Sequence, residues 1–174
     1  CAMCLTGRPN LCDKAAIARD PAAGARILHG KDPVFQFMDL ASFAEQLLVH
    51  ENFLVKIRDD MPLDIAALLG CGVTTGVGAV LNTAKVQPGD TIAAIGCGGI
   101  GLNAIQAARI AGASRIVAID RVAEKLALAQ RFGATDVVDA NATDPVLAVM
   151  ELTGGGVQHA FEPMLGQHDG QGPA

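Results

Sequence analysis

The chain has 174 residues, 51% hydrophobic and 18% charged, with net charge −5 and pI ≈ 5.2. That length holds one ordinary domain or parts of two, and its apolar content supports a sizeable core, which excludes an intrinsically disordered protein. The acidic balance argues against a surface for nucleic-acid phosphates. The six aromatics are all Phe, so base-stacking platforms are absent too.

Twenty glycines and abundant alanine suit close helix-on-strand packing in an α/β protein. The first residue is Cys1, with no basic-then-apolar leader before it, so the chain reads as a piece of a longer reading frame. Residues 1–33 are punctuated by Gly7, Pro9, Pro21, Gly24, Gly30 and Pro33 and read as loop-rich structure held by something other than a core. From Phe35 to Ile57, short apolar groups separated by polar residues predict short strands of a small β-rich unit. Pro62 predicts the start of a helix through Leu69, interrupted at Gly70-Cys71-Gly72 and resumed to Ala84.

After Pro88-Gly89-Asp90 the pattern alternates strand and helix. Thr91–Ile95 predicts a strand, Ile100–Ala111 a helix stopped by Gly112, and Arg115–Ile119 a second strand ending at Asp120. Val122–Phe132 predicts a helix stopped by Gly133, and Val137-Val138 a third strand. Asp144-Pro145 opens a further helix to Leu152, and Val157–Phe161 predicts a fourth strand. The order βαβαβαβ implies parallel strands with helices on both faces, in the spatial order 3-2-1-4 of a doubly wound sheet. Residues 163–174 are poor in apolar side chains and read as a disordered tail. Residues 65–84 and 91–108 carry no charge and approach the length of a membrane span, but their glycines and polar residues make both read as buried structure of a soluble protein.

Gly96-x-Gly98-x-x-Gly101 follows a predicted strand and opens a predicted helix, and Asp120 closes the next strand 19 residues after Gly101. This matches the dinucleotide-binding fingerprint. Gly96 permits the tight turn, Gly98 lets the backbone approach a pyrophosphate, and Gly101 lets helix and strand pack closely. The helix start offers unpaired N–H donors to the anion. Asp120 accepts from ribose hydroxyls and repels a 2′-phosphate, which favours NAD, with Arg121 the residue able to compensate a phosphate. The competing reading is a glycine-rich turn in an α/β fold that binds no nucleotide.

Cys1-x2-Cys4-x7-Cys12 supplies three thiolates to a stretch with few apolar anchors, where Zn–S bonds of ~2.3 Å can stand in for a core, although a structural zinc wants four ligands. The competing reading is three reduced cysteines in a surface loop. An odd total of five cysteines fits a reducing compartment, hence a cytoplasmic location. His29, His50, His159 and His168 sit outside ligand spacing and read as solvent-facing.

On these cysteines, on Leu69-Gly70-Cys71-Gly72-Val73-Thr74-Thr75-Gly76, on Asn82-Thr83-Ala84-Lys85-Val86 and on the fingerprint through Gly133-Ala134-Thr135-Asp136, the sequence resembles the zinc-containing medium-chain alcohol dehydrogenases over residues 1 to about 162. The resemblance implies residues 1–72 as part of a β-rich, GroES-like catalytic domain with a structural zinc lobe, 73–162 as part of a Rossmann-type NAD-binding domain, and 163–174 as an atypical tail. It makes Cys1, Cys4 and Cys12 the last three cysteines of the zinc lobe and Cys71 a catalytic zinc ligand. Read without it, Cys71 is a small core residue.

The implied cofactor-binding set is Thr75, Gly96, Gly98, Gly99, Ile100, Gly101, Asp120, Arg121 and Lys125, with Thr75 beside the nicotinamide and Lys125 at the adenosine ribose. The implied parent is an NAD- and zinc-dependent enzyme acting on a small alcohol or aldehyde, homo-oligomeric, without nucleic-acid or membrane partners. The family's other catalytic ligands would lie upstream of residue 1, so the chain by itself is expected to be inactive. A zinc-independent medium-chain reductase and a non-catalytic dinucleotide-binding module are the alternatives.

Overall fold

The computed structural model describes residues 1–8, 24–34, 42–47, 49 and 54–162. The chain forms two compact units, Cys1–Arg58 and Asp59–Ala174. Residues 59–72, which the sequence reading groups with the catalytic domain, run into a helix of the second unit.

In the first unit, α1 (Ala2–Leu5) is a single helical turn, closed where the Thr6 hydroxyl donates to the carbonyls of Ala2 and Met3. A two-residue antiparallel ladder pairs β1 (Leu28–His29) with β2 (Asp32–Pro33) across a turn at Gly30, whose φ of 65° suits glycine. Within the expected β-rich run, the described residues Leu47, Val49, Leu54, Val55 and Ile57 are in neither helix nor strand; Phe35, Phe37, Met38, Leu48 and Phe53 lie outside the described residues.

The second unit is the α/β sheet that the alternation predicts. β3 (Thr91–Ile95), β4 (Arg115–Asp120), β5 (Asp136–Asp139) and β6 (His159–Phe161) are parallel, in the order β5-β4-β3-β6. The register runs Thr91↔Arg115 to Ile95↔Ile119 and Val117↔Asp136 to Asp120↔Asp139, and β6 lies against β3 as Ile92↔His159 to Ala94↔Phe161. Alternate residues face opposite sides. Ile92, Ala94, Ile116 and Ala118 join Val80, Ala104, Ile105, Ala108, Leu126 and Ala129 in one apolar layer, while Ala93, Val117, Ile119 and Val138 join Val149 in the other. Helices therefore cover both faces: α2 (Leu63–Ala84), α3 (Gly99–Ala111) and α4 (Ala123–Phe132) on one, α5 (Pro145–Thr153) on the other.

The ends are chemically marked. Gly112 closes α3 in the left-handed region, with its N–H bonding back to Arg109 O. Asp144 caps α5 by accepting from the N–H groups of Val146 and Leu147, with Pro145 in the first turn. The fourth strand starts at His159, two residues later than expected, although Gln158 already meets β3: its N–H donates to Thr91 O at 3.0 Å and its side-chain oxygen accepts from the Thr91 N–H at 2.7 Å.

Two expectations change. Gly70-Cys71-Gly72 does not interrupt α2: the backbone continues through it as a wide π turn over Leu69–Val73, and a second covers Ala79–Ala84. The Thr74 hydroxyl donates back to Leu69 O, five residues earlier, across the widened turn. Residues 65–84 are also not buried as expected. The helix is long and apolar enough by length and composition to cross a membrane, but only 11% of its apolar window is covered, and Leu63, Ile65 and Leu68 stand exposed. Its Gly76 and Val80 are buried, on the side that meets α3. The other apolar stretch, 91–108, supplies β3 and the buried face of α3, as its reading requires.

Candidate functional site

The glycine-rich turn lies where β3 ends and α3 begins. Gly96 has φ of 96°, a conformation side chains disfavour, and its N–H donates to Ile119 O at 2.7 Å, so the turn is fastened to the neighbouring strand. Gly98 is the N-cap of α3, and no side chain caps it. A Cβ at Gly98 or at Gly99 would meet nothing within 4 Å, so the protein itself leaves that space open. The first N–H groups of α3, at Gly99, Ile100 and Gly101, precede the first intrahelical bond, Leu102 N to Gly98 O. An uncapped helix start with an open approach is the donor set an anion requires.

Asp120 closes β4 beside this turn. Its Oδ2 accepts from the Cys97 N–H at 2.7 Å, and its Oδ1 accepts from the N–H groups of Arg121 and Val122 at 2.8 and 3.0 Å. Burial pushes the carboxyl upward. The N–H groups of Cys97, Val122 and Arg121, aided by the Lys125 ammonium, outweigh that and hold it below its ordinary value. The carboxylate is thus ionised, fixed in orientation and tied to the turn through Cys97. Lys125 stands exposed in the first turn of α4, and Arg121 is exposed next to Asp120. Structure thus brings the expected fingerprint residues together: an uncapped helix start and, beside it, an oriented carboxylate.

Cys97 sits at a variable position of the fingerprint. Its side chain is 1% exposed, and burial first, then the Asp120 charge, pushes its thiol up to about 11. It is an inert packing residue.

Thr75 is exposed on α2 next to Gly76. Gly76 enters the sequence reading only as the end of a motif, with no role of its own. A Cβ there would lie 2.5 Å from Ile100 O, 2.7 Å from Asn103 Cβ and 2.9 Å from Ala104 N, so glycine lets α2 meet the first turn of α3 at backbone distance. A glycine inside a helical pattern was the available signal. Asn141, which bonds the backbone of Arg121 from 20 residues away, had none.

The cysteines are placed separately. The helical turn α1 puts Cys1 and Cys4 on one face, with sulfurs 3.6 Å apart, close to the roughly 3.8 Å between two thiolates of a tetrahedral zinc with ~2.3 Å bonds. Cys12 lies outside the described residues. Cys71 is exposed within the π turn of α2. Among the described residues no three His, Cys, Asp or Glu side chains gather as a metal site, and none of the four described cysteines forms a disulfide.

His29 is exposed as expected, whereas His159 is not solvent-facing. It is half-buried, its Nε2 lies 3.2 Å from Asp90 Oδ2, and its ring stacks on Phe161, because β6 carries it against the turn before β3. His50 and His168 lie outside the described residues.

Comparison with known proteins agrees with this geometry. Residues 99–169 match the family model described as zinc-binding dehydrogenase. The chain is 43% identical over 168 residues to an alcohol dehydrogenase class-3 of Myxine glutinosa, covering 93% of the chain and 45% of that protein. It is 42% identical over 168 residues to an S-(hydroxymethyl)glutathione dehydrogenase of Synechocystis, covering 93% of the chain and 46% of that protein. Among solved structures, a benzyl alcohol dehydrogenase from Acinetobacter calcoaceticus superposes with a TM-score of 0.78 at 39% identity, over 93% of the chain and 45% of its own. The chain thus spans a little under half the length of the relatives it matches.

Proposed function

Because the chain belongs to the zinc-containing medium-chain alcohol dehydrogenase family, we propose that it is the central portion of an NAD- and zinc-dependent enzyme exchanging hydride between a small alcohol or aldehyde and the nicotinamide. The observation that carries the reading is the uncapped start of α3 beside the ionised, backbone-fixed Asp120. The α3 N–H groups bind the pyrophosphate, and Asp120 accepts from the adenosine ribose with Lys125 close by. Thr75, held near the start of α3 by the Gly76 contact, lines the nicotinamide side.

Cys1 and Cys4 have the spacing to hold a structural zinc, with Cys12 as the third ligand. Cys71 is one ligand of a catalytic zinc. When bound, that metal supplies Lewis-acid polarisation of the alcohol or aldehyde oxygen. A catalytic zinc needs three protein ligands, of which we assign Cys71 alone, and on that assignment the chain binds nucleotide without turning over an alcohol. We place the parent in the cytoplasm, since an odd total of five cysteines fits a reducing compartment, and read it as a homo-oligomer on the family resemblance alone. The fluorescence of NADH titrated with the chain tests the nucleotide reading. Saturable binding weakened by Asp120→Ala is expected, and no binding by the wild-type chain would refute it.

A further inference from the structure

The loop that presents Asp120 is held from outside the fingerprint. The Asn141 side-chain amide donates to Arg121 O at 2.7 Å, and the Asn141 N–H donates to Asp139 Oδ1 at 2.9 Å, which anchors Asn141 to the end of β5. Ala140 N donates to Asp120 O at 3.1 Å, continuing the contact between β4 and β5 beyond their last ladder pair, Asp120↔Asp139. The carbonyl of Arg121 and the N–H of Val122 belong to one peptide group. Its C=O is taken by Asn141 and its N–H by Asp120 Oδ1, so that single plane is gripped at both ends. Rotating it breaks both bonds. It would also release one of the three N–H groups that orient the Asp120 carboxylate.

We propose that Asn141 is a positioning residue for nucleotide discrimination: by locking the Arg121-Val122 peptide it fixes the Asp120 carboxylate in the orientation that reads a free ribose 2′-hydroxyl. In this role Asn141 acts on the nucleotide only through Asp120. The proposal rests on the nucleotide reading above. The peptide plane also sets the direction in which the adjacent Arg121 leaves the backbone, so a loosened plane lets a cation approach where the carboxylate excluded a phosphate. Asn141 is exposed, so its replacement leaves the core untouched.

The test uses the full 174-residue chain with NADH and 2′-deoxy-NADH as paired probes, alongside amide exchange at Val122. Wild type should bind NADH more tightly than the 2′-deoxy analogue. Asn141→Ala should weaken NADH about threefold to tenfold, the effect of one net hydrogen bond, while changing the 2′-deoxy analogue less than twofold, and the Val122 amide should exchange faster. Asn141→Asp keeps the shape but faces an acceptor to the Arg121 carbonyl, and should lose the same discrimination. Equal weakening of both probes would reduce Asn141 to a general structural role and overturn the proposal, as would an Asn141→Asp chain that discriminates like wild type. If Val122 exchange rises in the variant but the wild-type chain binds neither probe, the nucleotide reading falls while the grip stands; unchanged Val122 exchange removes the grip itself.

Discussion

Replacing Gly76 with alanine should separate two effects that act in opposite directions in a helix. Alanine at an interior helical position is favoured over glycine by about 1 kcal/mol. At Gly76, however, the new methyl would stand 2.5 Å from Ile100 O and 2.9 Å from Ala104 N, both backbone atoms of α3 that no side-chain rotation can move aside. Overpacking of this kind costs about 1–3 kcal/mol, so Gly76→Ala should be neutral to destabilising by about 2 kcal/mol. Gly70→Ala lies on the same helix, where a Cβ meets nothing within 4 Å, and should stabilise by about 0.5–1 kcal/mol. The difference between the two variants cancels the propensity term and isolates the contact at about 1–3 kcal/mol, read from urea midpoints at constant slope. Because α2 must withdraw from Ile100, at the start of α3, Gly76→Ala should also weaken NADH binding while Gly70→Ala leaves it unchanged. Equal stabilisation by both substitutions would show that α2 does not pack on α3 at backbone distance.

Asp120→Asn should narrow the preference for NADH over NADPH by about tenfold or more in paired titrations, since the charge that repels a 2′-phosphate is removed; an unchanged ratio would assign the discrimination elsewhere. Because its folded pKa is lowered, the Asp120 contribution to stability should be complete above its ordinary value of 3.8 and disappear as pH falls through the lower folded value, a loss absent from the Asn variant in acid titrations. Cys97, with its thiol at about 11, should have on the order of one thiolate in a thousand at pH 8, so iodoacetamide mapped by mass spectrometry should label Cys71 well before Cys97. The raised value also predicts a stability contribution present below 9.0 and lost as pH rises toward about 11, which Cys97→Ser should abolish. Elemental analysis after dialysis should find at most one zinc per chain and none in Cys4→Ser; two tightly held zincs would mean that Cys71 has recruited further ligands.

The sheet was legible because its signals are local. The strand Thr91–Ile95 is an apolar run bounded by a turn and a glycine, α3 stops at a glycine whose positive φ the sequence anticipates, and Asp144-Pro145 announces the start of α5. The core of the site was legible for the same reason. The three glycines and Asp120 each answer to their own turn, helix start or strand end, and chain order alone brings those ends together once the strands are parallel. The break expected at Gly70-Cys71-Gly72 was a propensity argument worth about 1 kcal/mol per glycine, small enough for a Thr74 bond and continued packing on α3 to override.

The amino-acid sequence by itself thus determined the order of elements, the strand order and the position of the glycine-rich turn, since these follow from periodicity and from residues that act on their own backbone. Tertiary structure decided which contacts are made across the sheet. Apolar composition in α2 could not say which of its faces is covered, and the half-burial of His159 depends on β6 lying beside the Asp90 turn. The grip of Asn141 on the Arg121 peptide joins residues 20 apart, brought together only because β5 packs alongside β4. Such contacts leave no periodic trace, because a single side-chain hydrogen bond across neighbouring strands constrains two positions and no pattern.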